Sequence, residues 1–391
     1  MEEEIRKLRP IDRFKLLISE MYCTAMDKSM NFDVWQCVFT LALLVVGLIM
    51  MYSASYAYAH YYQHGDSTYY IGKQFLYAVV GLVAMLIVSL LPMWFLKRCV
   101  PWLVGIATVL LIIVYFVPTK SEHRWIKIGE SFSFQPSEIG KLAVILFIAL
   151  YAANNADRIQ SFKYGLLGYL PVVGIIALLI VGETHLSCFI LICLISATMM
   201  YVGGTPKKWL LLIGLCALAG AAVLVLFTTY MKTRIEVWID PFNDPLGDGW
   251  QNIQAHYAIA SGGLLGQGLG NSRQKYLYIS EPQNDFIFAV ICEELGFVGA
   301  IAIMVLFAAF VWRGLTVSMS NPDRFARLLG VGVTAQIGWQ AILNIGVVTR
   351  ALPNTGISLP FFSYGGTALV MLLVSVGLLL AVSRGAAKKT I

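Results

Sequence analysis

Acidic residues cluster around position 285, where a long polar stretch meets an apolar one. Asp285 begins the apolar stretch, Glu281 precedes it by four residues, and Glu293 and Glu294 lie about two helical turns further on. A carboxylate that is partly withdrawn from water at the start of a helix can have a raised pKa and act as a general base. The alternative role for Asp285 is a helix N-cap, for which Asp is among the preferred residues. Glu293 and Glu294 are expected to pair with groups on other helices.

A second polar group lies between residues 123 and 141. It reads His123-Arg124-Trp125 and then Phe134-Gln135-Pro136-Ser137-Glu138-Ile139-Gly140-Lys141. Pro136 suits the first turn of a helix, and Glu138 and Lys141 are three residues apart, so they share one face of that helix. Two interpretations stand. The pair is either a buried ion pair that fixes helix packing or part of a polar site in which Arg124 binds an anion.

The polar insert at 231–285 contains three aspartates spaced four apart, Asp240, Asp244 and Asp248. A calcium loop needs acidic residues at every second position and a closing Glu, so these aspartates are expected to form turns and helix caps instead. The glycine-rich stretch at 262–270 does not match the dinucleotide-binding fingerprint. It predicts a tight re-entrant loop in which glycine lets the backbone approach either another backbone segment or a phosphate.

A fourth polar stretch runs from Arg350 to Thr367 and contains two prolines and three glycines. It predicts a structured loop in which Ser363 and Tyr364 dip toward the membrane. Non-helical backbone at that depth is tolerated only where it is buried in protein or lines a cavity.

The elements that must position these residues are apolar helices. Of the 391 residues, 58% are hydrophobic and 13% are charged, against about a quarter charged in soluble domains. Ten apolar segments approach the length of about 20 residues that a helix needs to cross a bilayer. They lie near 34–54, 75–93, 99–117, 137–153, 165–182, 186–202, 208–230, 286–312, 327–349 and 360–382. The sequence therefore predicts an all-α polytopic membrane protein with about ten transmembrane helices.

The basic residues predict the orientation of these helices. With an internal amino terminus, the inner loops and tails hold roughly twice as many Lys and Arg residues as the outer loops. We therefore expect a cytoplasmic tail at 1–33, a membrane domain at 34–383 and a cytoplasmic tail at 384–391. The insert at 231–285 is then expected to be a large extracytoplasmic loop between the seventh and eighth predicted transmembrane segments. A basic soluble face of the kind that binds nucleic acid is not apparent.

Five blocks of sequence, in this order, resemble the SEDS family (shape, elongation, division and sporulation), whose members include FtsW, RodA and SpoVE. The resemblance covers the chain from about Val34 to Arg384. The blocks are Phe134 to Lys141, Asp240-Pro241 with Asp244-Pro245-Leu246-Gly247, Ala260 to Leu264, Asp285 to Val290 with Glu293 to Gly296, and Leu359 to Gly366.

This resemblance implies a peptidoglycan glycosyltransferase that polymerises lipid II into glycan strands on the outer face of the cytoplasmic membrane. Asp285 would be the general base, and undecaprenyl pyrophosphate would leave with inversion at the sugar carbon. The resemblance also implies a class B penicillin-binding protein as transpeptidase partner, together with other divisome or sporulation membrane proteins. No cofactor is implied as certain, and a divalent cation (Mg²⁺ or Mn²⁺) is left open. The expected substrate-binding residues are Arg124, Trp125, Glu138, Lys141, Arg273, Glu281, Ser363 and Tyr364, of which Arg124, Lys141 and Arg273 would stabilise the leaving group.

The chain departs from the family pattern at Thr184-His185-Leu186-Ser187-Cys188, where Pro-Asp-x-Gly-Thr is usual. The loop at 352–360 looks more like FtsW and SpoVE than RodA, which favours a septal or spore role over an elongation-type polymerase. Two other kinds of function stay open on the sequence alone: a lipid II transporter, and an inactive scaffold that recruits the penicillin-binding protein. A transporter would place ionisable groups near the membrane midplane.

Overall fold

The computed structural model describes residues 12, 15–21, 32–116, 125–128, 132–183, 186–227 and 229–386. Arg124 and the first two residues of the altered motif, Thr184 and His185, lie outside these ranges.

The regular secondary structure of the described residues is helical apart from one small hairpin. Its helices are α1 (Val34–Tyr62), α2 (Tyr69–Ser89), α3 (Met93–Phe116), α4 (Pro136–Asn154), α5 (Leu170–Gly182), α6 (Leu186–Val202), α7 (Lys207–Phe227), α8 (Thr229–Ile239), α9 (Trp250–Gly262), α10 (Ile287–Met319), α11 (Arg324–Val348) and α12 (Gly366–Ala386). A π-helical turn (Lys163–Leu167) leads into α5, and a 3-10 turn (Pro241–Asn243) joins α8 to α9. Strands β1 (Ile126–Ile128) and β2 (Phe132–Phe134) pair antiparallel, with Lys127 opposite Ser133.

The predicted fold class, an all-α polytopic membrane protein, is confirmed. Within the described residues, eight helical segments are long and apolar enough to cross a bilayer, and α6 is a shorter apolar helix of 17 residues. The helix α7 also coincides with a predicted span. The exact number of crossings stays a prediction. The α1 and α10 helices extend beyond the predicted segments, to Tyr62 and Met319.

Basic side chains tie the helices together at one end of the bundle. The Arg313 Nε donates to both carboxylate oxygens of Asp33 at 2.9 Å, and Lys97 lies 3.3 Å from a carboxylate oxygen of Asp323. Arg384 donates to the carbonyl of Leu91 at 2.9 Å. The insert, the hairpin and the loop after α11 lie at the other end, as the alternation of the helices requires.

Helices α4, α11 and α12 form the centre of the bundle, while α2 and α3 expose many apolar side chains at its periphery. Small residues let α2 approach α12 closely. A β-carbon on Gly81 would lie 2.5 Å from Leu373 Cδ1, and one on Gly377 would lie 2.6 Å from the carbonyl oxygen of Met85. The first residues of α4 and α12 lie at the insert end, where the cavity described below opens.

The aspartates of the insert form turns, as predicted. Asp240 caps the 3-10 turn by accepting from the N–H of Phe242 at 3.0 Å. The Asp244 carboxylate accepts from the N–H groups of Gly247 and Asp248 at 3.1 and 3.0 Å. The segment between these turns and the glycine-rich loop forms α9.

The glycine-rich loop closes a break in α10. Gly296 has non-helical dihedral angles (φ 67°, ψ −169°), so the regular helical hydrogen bonding is interrupted there. The loop supplies replacement partners: the N–H groups of Gln267 and Gly268 donate to the carbonyls of Glu293 and Glu294 at 2.9 and 3.0 Å, and those of Phe297 and Val298 donate to the carbonyls of Gly263 and Leu264 at 2.9 and 3.1 Å. Buried backbone groups need such partners, particularly within a membrane.

Glycine is required at this crossing because two backbones touch. A β-carbon on Gly266 would lie 2.2 Å from the carbonyl oxygen of Glu294, and one on Gly296 would lie 2.3 Å from the nitrogen of Gly266. The sequence left open whether the loop approaches another backbone segment or a phosphate. In the structure it approaches the backbone of α10.

Candidate active site

A cavity of about 270 Å³ opens at the insert end of the bundle. Five of the residues predicted for the site line it together: Trp125, Glu138, Lys141, Asp285 and Tyr364. The rest of its wall comes from Gln135, Ser187, Cys188, Leu191, Asn284, Gln340, Gly356, Ile357, Ser358, Gly365 and Ala368. The tertiary structure therefore brings residues that are far apart in the chain into one polar cavity.

Glu138 and Lys141 form an ion pair on the first turns of α4, with 2.7 Å between the Lys141 Nζ and a carboxylate oxygen of Glu138. Pro136 occupies the first turn, as predicted. The two side chains are only 11% and 4% exposed, yet both line the cavity. The interpretations of a packing ion pair and of a polar site are thus compatible. A buried pair of this kind is costly to break because the remaining charge is left without compensation.

Asp285 lies directly before α10, whose N-cap position is Phe286. Its backbone is held by Asn344 on α11, whose amide donates to the Asp285 carbonyl at 2.8 Å and to the Ile357 carbonyl at 2.7 Å. A β-carbon on Gly356 would lie 3.3 Å from the Asp285 Oδ2. The carboxylate is therefore positioned against the backbone of the loop that follows α11.

Tyr364 lines the cavity, and Ser363 anchors the loop that carries it. The Ser363 Oγ accepts from the N–H of Leu359 at 2.7 Å and donates to the carbonyl of Asn284 at 2.8 Å. The N–H of Tyr364 donates to the carbonyl of Gln283 at 2.8 Å. These bonds join the loop after α11 to the residues before Asp285, so the two segments form one wall.

Burial raises the pKa of Tyr364 to about 12, and the neighbouring tyrosines, Tyr69, Tyr77 and Tyr70, add to the effect. The Tyr364 ring packs edge-on against Tyr70, with 4.9 Å between ring centroids. The phenol stays protonated at physiological pH and can donate a hydrogen bond into the cavity.

Three predicted substrate-binding residues, Ser363, Glu281 and Arg273, do not line this cavity. Glu281 is exposed with φ +49°, and its carboxylate accepts from the side-chain amide of Asn284 at 2.7 Å. Arg273 is exposed in the loop after Gly270, and its backbone N–H donates to Glu293 at 3.0 Å. Glu281 is linked to the cavity lining through Asn284, and Arg273 is exposed on the insert.

Glu293 and Glu294 fasten the insert to the bundle. Lys275, which is 2% exposed, lies 2.9 Å from a Glu294 carboxylate oxygen, and Ser53 on α1 donates to the same carboxylate at 2.7 and 2.8 Å. Glu293 accepts from the hydroxyl of Ser272 and from nearby backbone N–H groups. The predicted contacts with other helices are present for Glu294 at Ser53 on α1 and for Glu293 at Ser261 on α9, and the other partners come from the loop of the insert.

The polar face of α11 was not predicted from the sequence. Gln336, Gln340 and Asn344 are four residues apart in an apolar helix, a spacing that places the three amides on one face. Gln340 lines the cavity and donates to the carbonyl and hydroxyl oxygens of Ser358 at 3.1 and 3.2 Å. Amides repeated at helical spacing in a membrane span are the signal that could have identified them.

A divalent cation would need several oxygen ligands. Across the part of the chain that the structure describes, no group of three or more His, Cys, Asp or Glu side chains lies close enough together to hold a metal ion. In the cavity, Glu138 is already paired with Lys141, so the described side chains do not form a protein cage for such an ion by themselves.

Comparison with known proteins gives concordant matches over nearly the whole chain. The family model FTSW_RODA_SPOVE, described as cell cycle protein, matches residues 35–388. Stage V sporulation protein E of Bacillus subtilis (strain 168) is 40% identical over 356 residues, covering 90% of this chain and 97% of that protein. A probable peptidoglycan glycosyltransferase FtsW of Geobacter sp. (strain M18) is 35% identical over 366 residues, covering 91% and 99%.

Solved structures show the same fold. A chain from a structure described as the structural coordination of polymerization and crosslinking by a peptidoglycan synthase complex superposes with a TM-score of 0.74 at 26% identity, covering 92% of this chain and 99% of that one. The rod shape determining protein RodA of Thermus thermophilus gives a TM-score of 0.66 at 25% identity, covering 90% and 97%. The chain is an integral membrane protein of the FtsW/RodA/SpoVE family.

Proposed function

We propose that this protein is a peptidoglycan glycosyltransferase that polymerises lipid II into glycan strands for septal or spore cell-wall synthesis. The observation that carries the proposal is the cavity in which Asp285, Glu138 and Lys141 meet in a member of this family. The names of the related proteins, one a sporulation protein and one a probable FtsW glycosyltransferase, support both the activity and the branch.

In the proposed reaction the Asp285 carboxylate removes the proton from the 4-hydroxyl of the acceptor N-acetylglucosamine. The freed oxygen attacks C1 of the donor N-acetylmuramic acid from the face opposite the pyrophosphate. The C1–oxygen bond to undecaprenyl pyrophosphate breaks, its electron pair leaves with the phosphate, and the proton remains on Asp285. Asn344 and Gly356 hold the base in place. Such positioning of a catalytic group lowers the barrier of the reaction.

Developing negative charge on the leaving pyrophosphate needs cationic or dipolar partners. Lys141 is the described cation that lines the cavity. Its ammonium has three donors, of which one is used by Glu138. Glu138 thus orients Lys141, and Trp125 and the Tyr364 hydroxyl would contact the sugars. Arg124, beside Trp125 in the sequence, is proposed as a second cation for the pyrophosphate.

We propose that the cavity faces outward, with both tails in the cytoplasm and the 231–285 insert outside. The clustering of Lys97, Arg313, Arg324 and Arg384 at the end opposite the cavity supports this orientation through the positive-inside rule. A class B penicillin-binding protein is the proposed partner that would cross-link the glycan strands. The similarity to a chain from a peptidoglycan synthase complex supports this partner.

The test uses the purified protein with its penicillin-binding partner and labelled lipid II. We compare the native chain with Asp285→Asn and with Asp157→Asn, an exposed aspartate on the segment after α4. Glycan polymer from the native protein and Asp157→Asn, with none from Asp285→Asn, is the expected result. If Asp285→Asn made as much polymer as the native protein, Asp285 could not be the general base. Movement of lipid II across vesicles without polymer from the native chain would favour a transporter instead.

A further inference from the structure

A second cavity, of about 310 Å³, lies within the insert. We call it the insert cavity. Helices α8 and α9 and the loop after α11 form its walls, and it shares no lining residue with the cavity of Asp285. Its lining residues are Thr233, Arg234, Val237, Asp248, Gln251, Asn252 and Asn354.

The lining of the insert cavity is polar and formally neutral. Val237 is the one apolar residue among the seven, so the cavity does not fit a lipid chain. Arg234 and Asp248 carry opposite charges, so it does not fit a pyrophosphate, which needs an excess of positive charge. Side-chain amides both donate and accept hydrogen bonds, as the hydroxyl and N-acetyl groups of a sugar require. The volume is at the lower end of the range of ligand pockets, about 300 Å³.

The insert cavity adjoins the Asp285 cavity through a short piece of backbone. Asn354 lines the insert cavity, and its side-chain oxygen accepts from the N–H of Gly356 at 3.2 Å. Gly356 lines the other cavity, where a β-carbon added to it would lie 3.3 Å from the Asp285 carboxylate. A polar chain with one unit beside Asp285 therefore has a second binding place close to that unit.

We propose that the insert cavity binds a sugar of the growing glycan chain, beyond the sugar that reacts at Asp285. The inference rests on the proposed function, which requires a polymer whose earlier sugars leave the reaction site. The amides of Gln251, Asn252 and Asn354 carry the recognition. The Gln251 amide nitrogen already donates to the carbonyl of Ser280 at 3.1 Å, which fixes the orientation of that side chain.

The experiment measures binding of a soluble tetrasaccharide of alternating N-acetylglucosamine and N-acetylmuramic acid, which has neither lipid nor pyrophosphate. The full-length protein is compared with Asn252→Trp, which fills the cavity, and Asn252→Ala, which removes only the amide. Asn243→Trp is the matched control because Asn243 is exposed on the same insert and lines neither cavity. We expect both Asn252 variants to bind at least about tenfold more weakly, while Asn243→Trp and Asp285→Asn bind like the native chain.

The outcomes separate this inference from the proposed function. Unchanged binding by both Asn252 variants, no binding by the native chain, or displacement of the tetrasaccharide by inorganic pyrophosphate would each overturn the saccharide site. A third result is that the native chain binds the tetrasaccharide, the Asn252 variants do not, and the native chain makes no polymer. That result would support the saccharide site but refute the glycosyltransferase activity. With labelled lipid II, we expect Asn252→Trp to release shorter glycan chains than Asn243→Trp, since the growing chain is held less firmly.

Discussion

Asn344 binds the backbone of Asp285: its side-chain amide donates to the Asp285 carbonyl at 2.8 Å and, with its other hydrogen, to the carbonyl of Ile357 at 2.7 Å. One side chain on α11 thus joins the residue before α10 to the loop after α11. The backbone of Asp285 is thus held by a side chain of α11, not by α10, which begins after it.

The first prediction concerns this bridge. In Asn344→Leu both carbonyls lose their donor, which costs about 1–3 kcal/mol for each one that stays buried and unsatisfied. Polymerisation should fall by about 100-fold, the order expected when a catalytic group moves by about 1 Å. Lipid II turnover and lipid II binding are both measured. A fall in turnover with retained binding supports a positioning role, whereas equal losses of both would indicate general unfolding.

The second prediction concerns Gly356, which has φ +68° and lies against the Asp285 carboxylate. An alanine there should destabilise the loop by about 1–2 kcal/mol, since L-residues are disfavoured in this region. The added methyl group should also displace Asp285, so the loss of polymerisation activity should be larger than the loss of folding stability alone explains. Gly105→Ala on α3 is the control, because a β-carbon there meets nothing within 4 Å. Equal activity of the two variants would contradict the close contact with Asp285.

The third prediction separates the structural and chemical roles of the Glu138–Lys141 pair. Glu138→Gln or Lys141→Met alone leaves one buried charge, which should cost about 3–5 kcal/mol. The double variant removes both charges and should recover most of that stability, measured as the melting temperature in detergent. Polymerisation should not recover, because the leaving group still lacks the Lys141 cation. A double variant with native turnover would show that the pair is structural only.

The fourth prediction is a pH dependence at His256 on α9. Burial, followed by the positive charge of Arg350, lowers the pKa of His256 below its usual 6.5. Between the folded and the unfolded pKa the unfolded chain binds more protons, so stability should rise with pH up to about 6.5 and then level off. Melting temperatures across this window should be less pH-dependent in His256→Gln. An unchanged pH dependence in that variant would place the titration on another group.

Local patterns in the sequence predict much of this protein because they depend on neighbouring residues only. The spacing of Glu138 and Lys141 is enough to predict their shared face, and the prolines and aspartates of the insert are enough to predict its turns. Apolar length predicts the helices, with errors of about four to eight residues at the ends of α1, α2, α3, α10 and α12. In a bilayer these patterns are strong, since the helix must satisfy its own backbone hydrogen bonds.

Contacts between distant segments required the tertiary structure. Arg273 and Glu281 were expected at the site from the family resemblance, but the fold places both at the surface, outside the cavity. The contacts of Asn344 and Gly356 with Asp285 follow from no local pattern, because they form only after α10, α11 and the following loop pack together. The sequence alone indicated an apolar helical protein in which acidic residues cluster where the polar insert meets an apolar segment. Packing decided which carboxylate faces the cavity and what holds it, because those contacts join segments that the sequence keeps far apart.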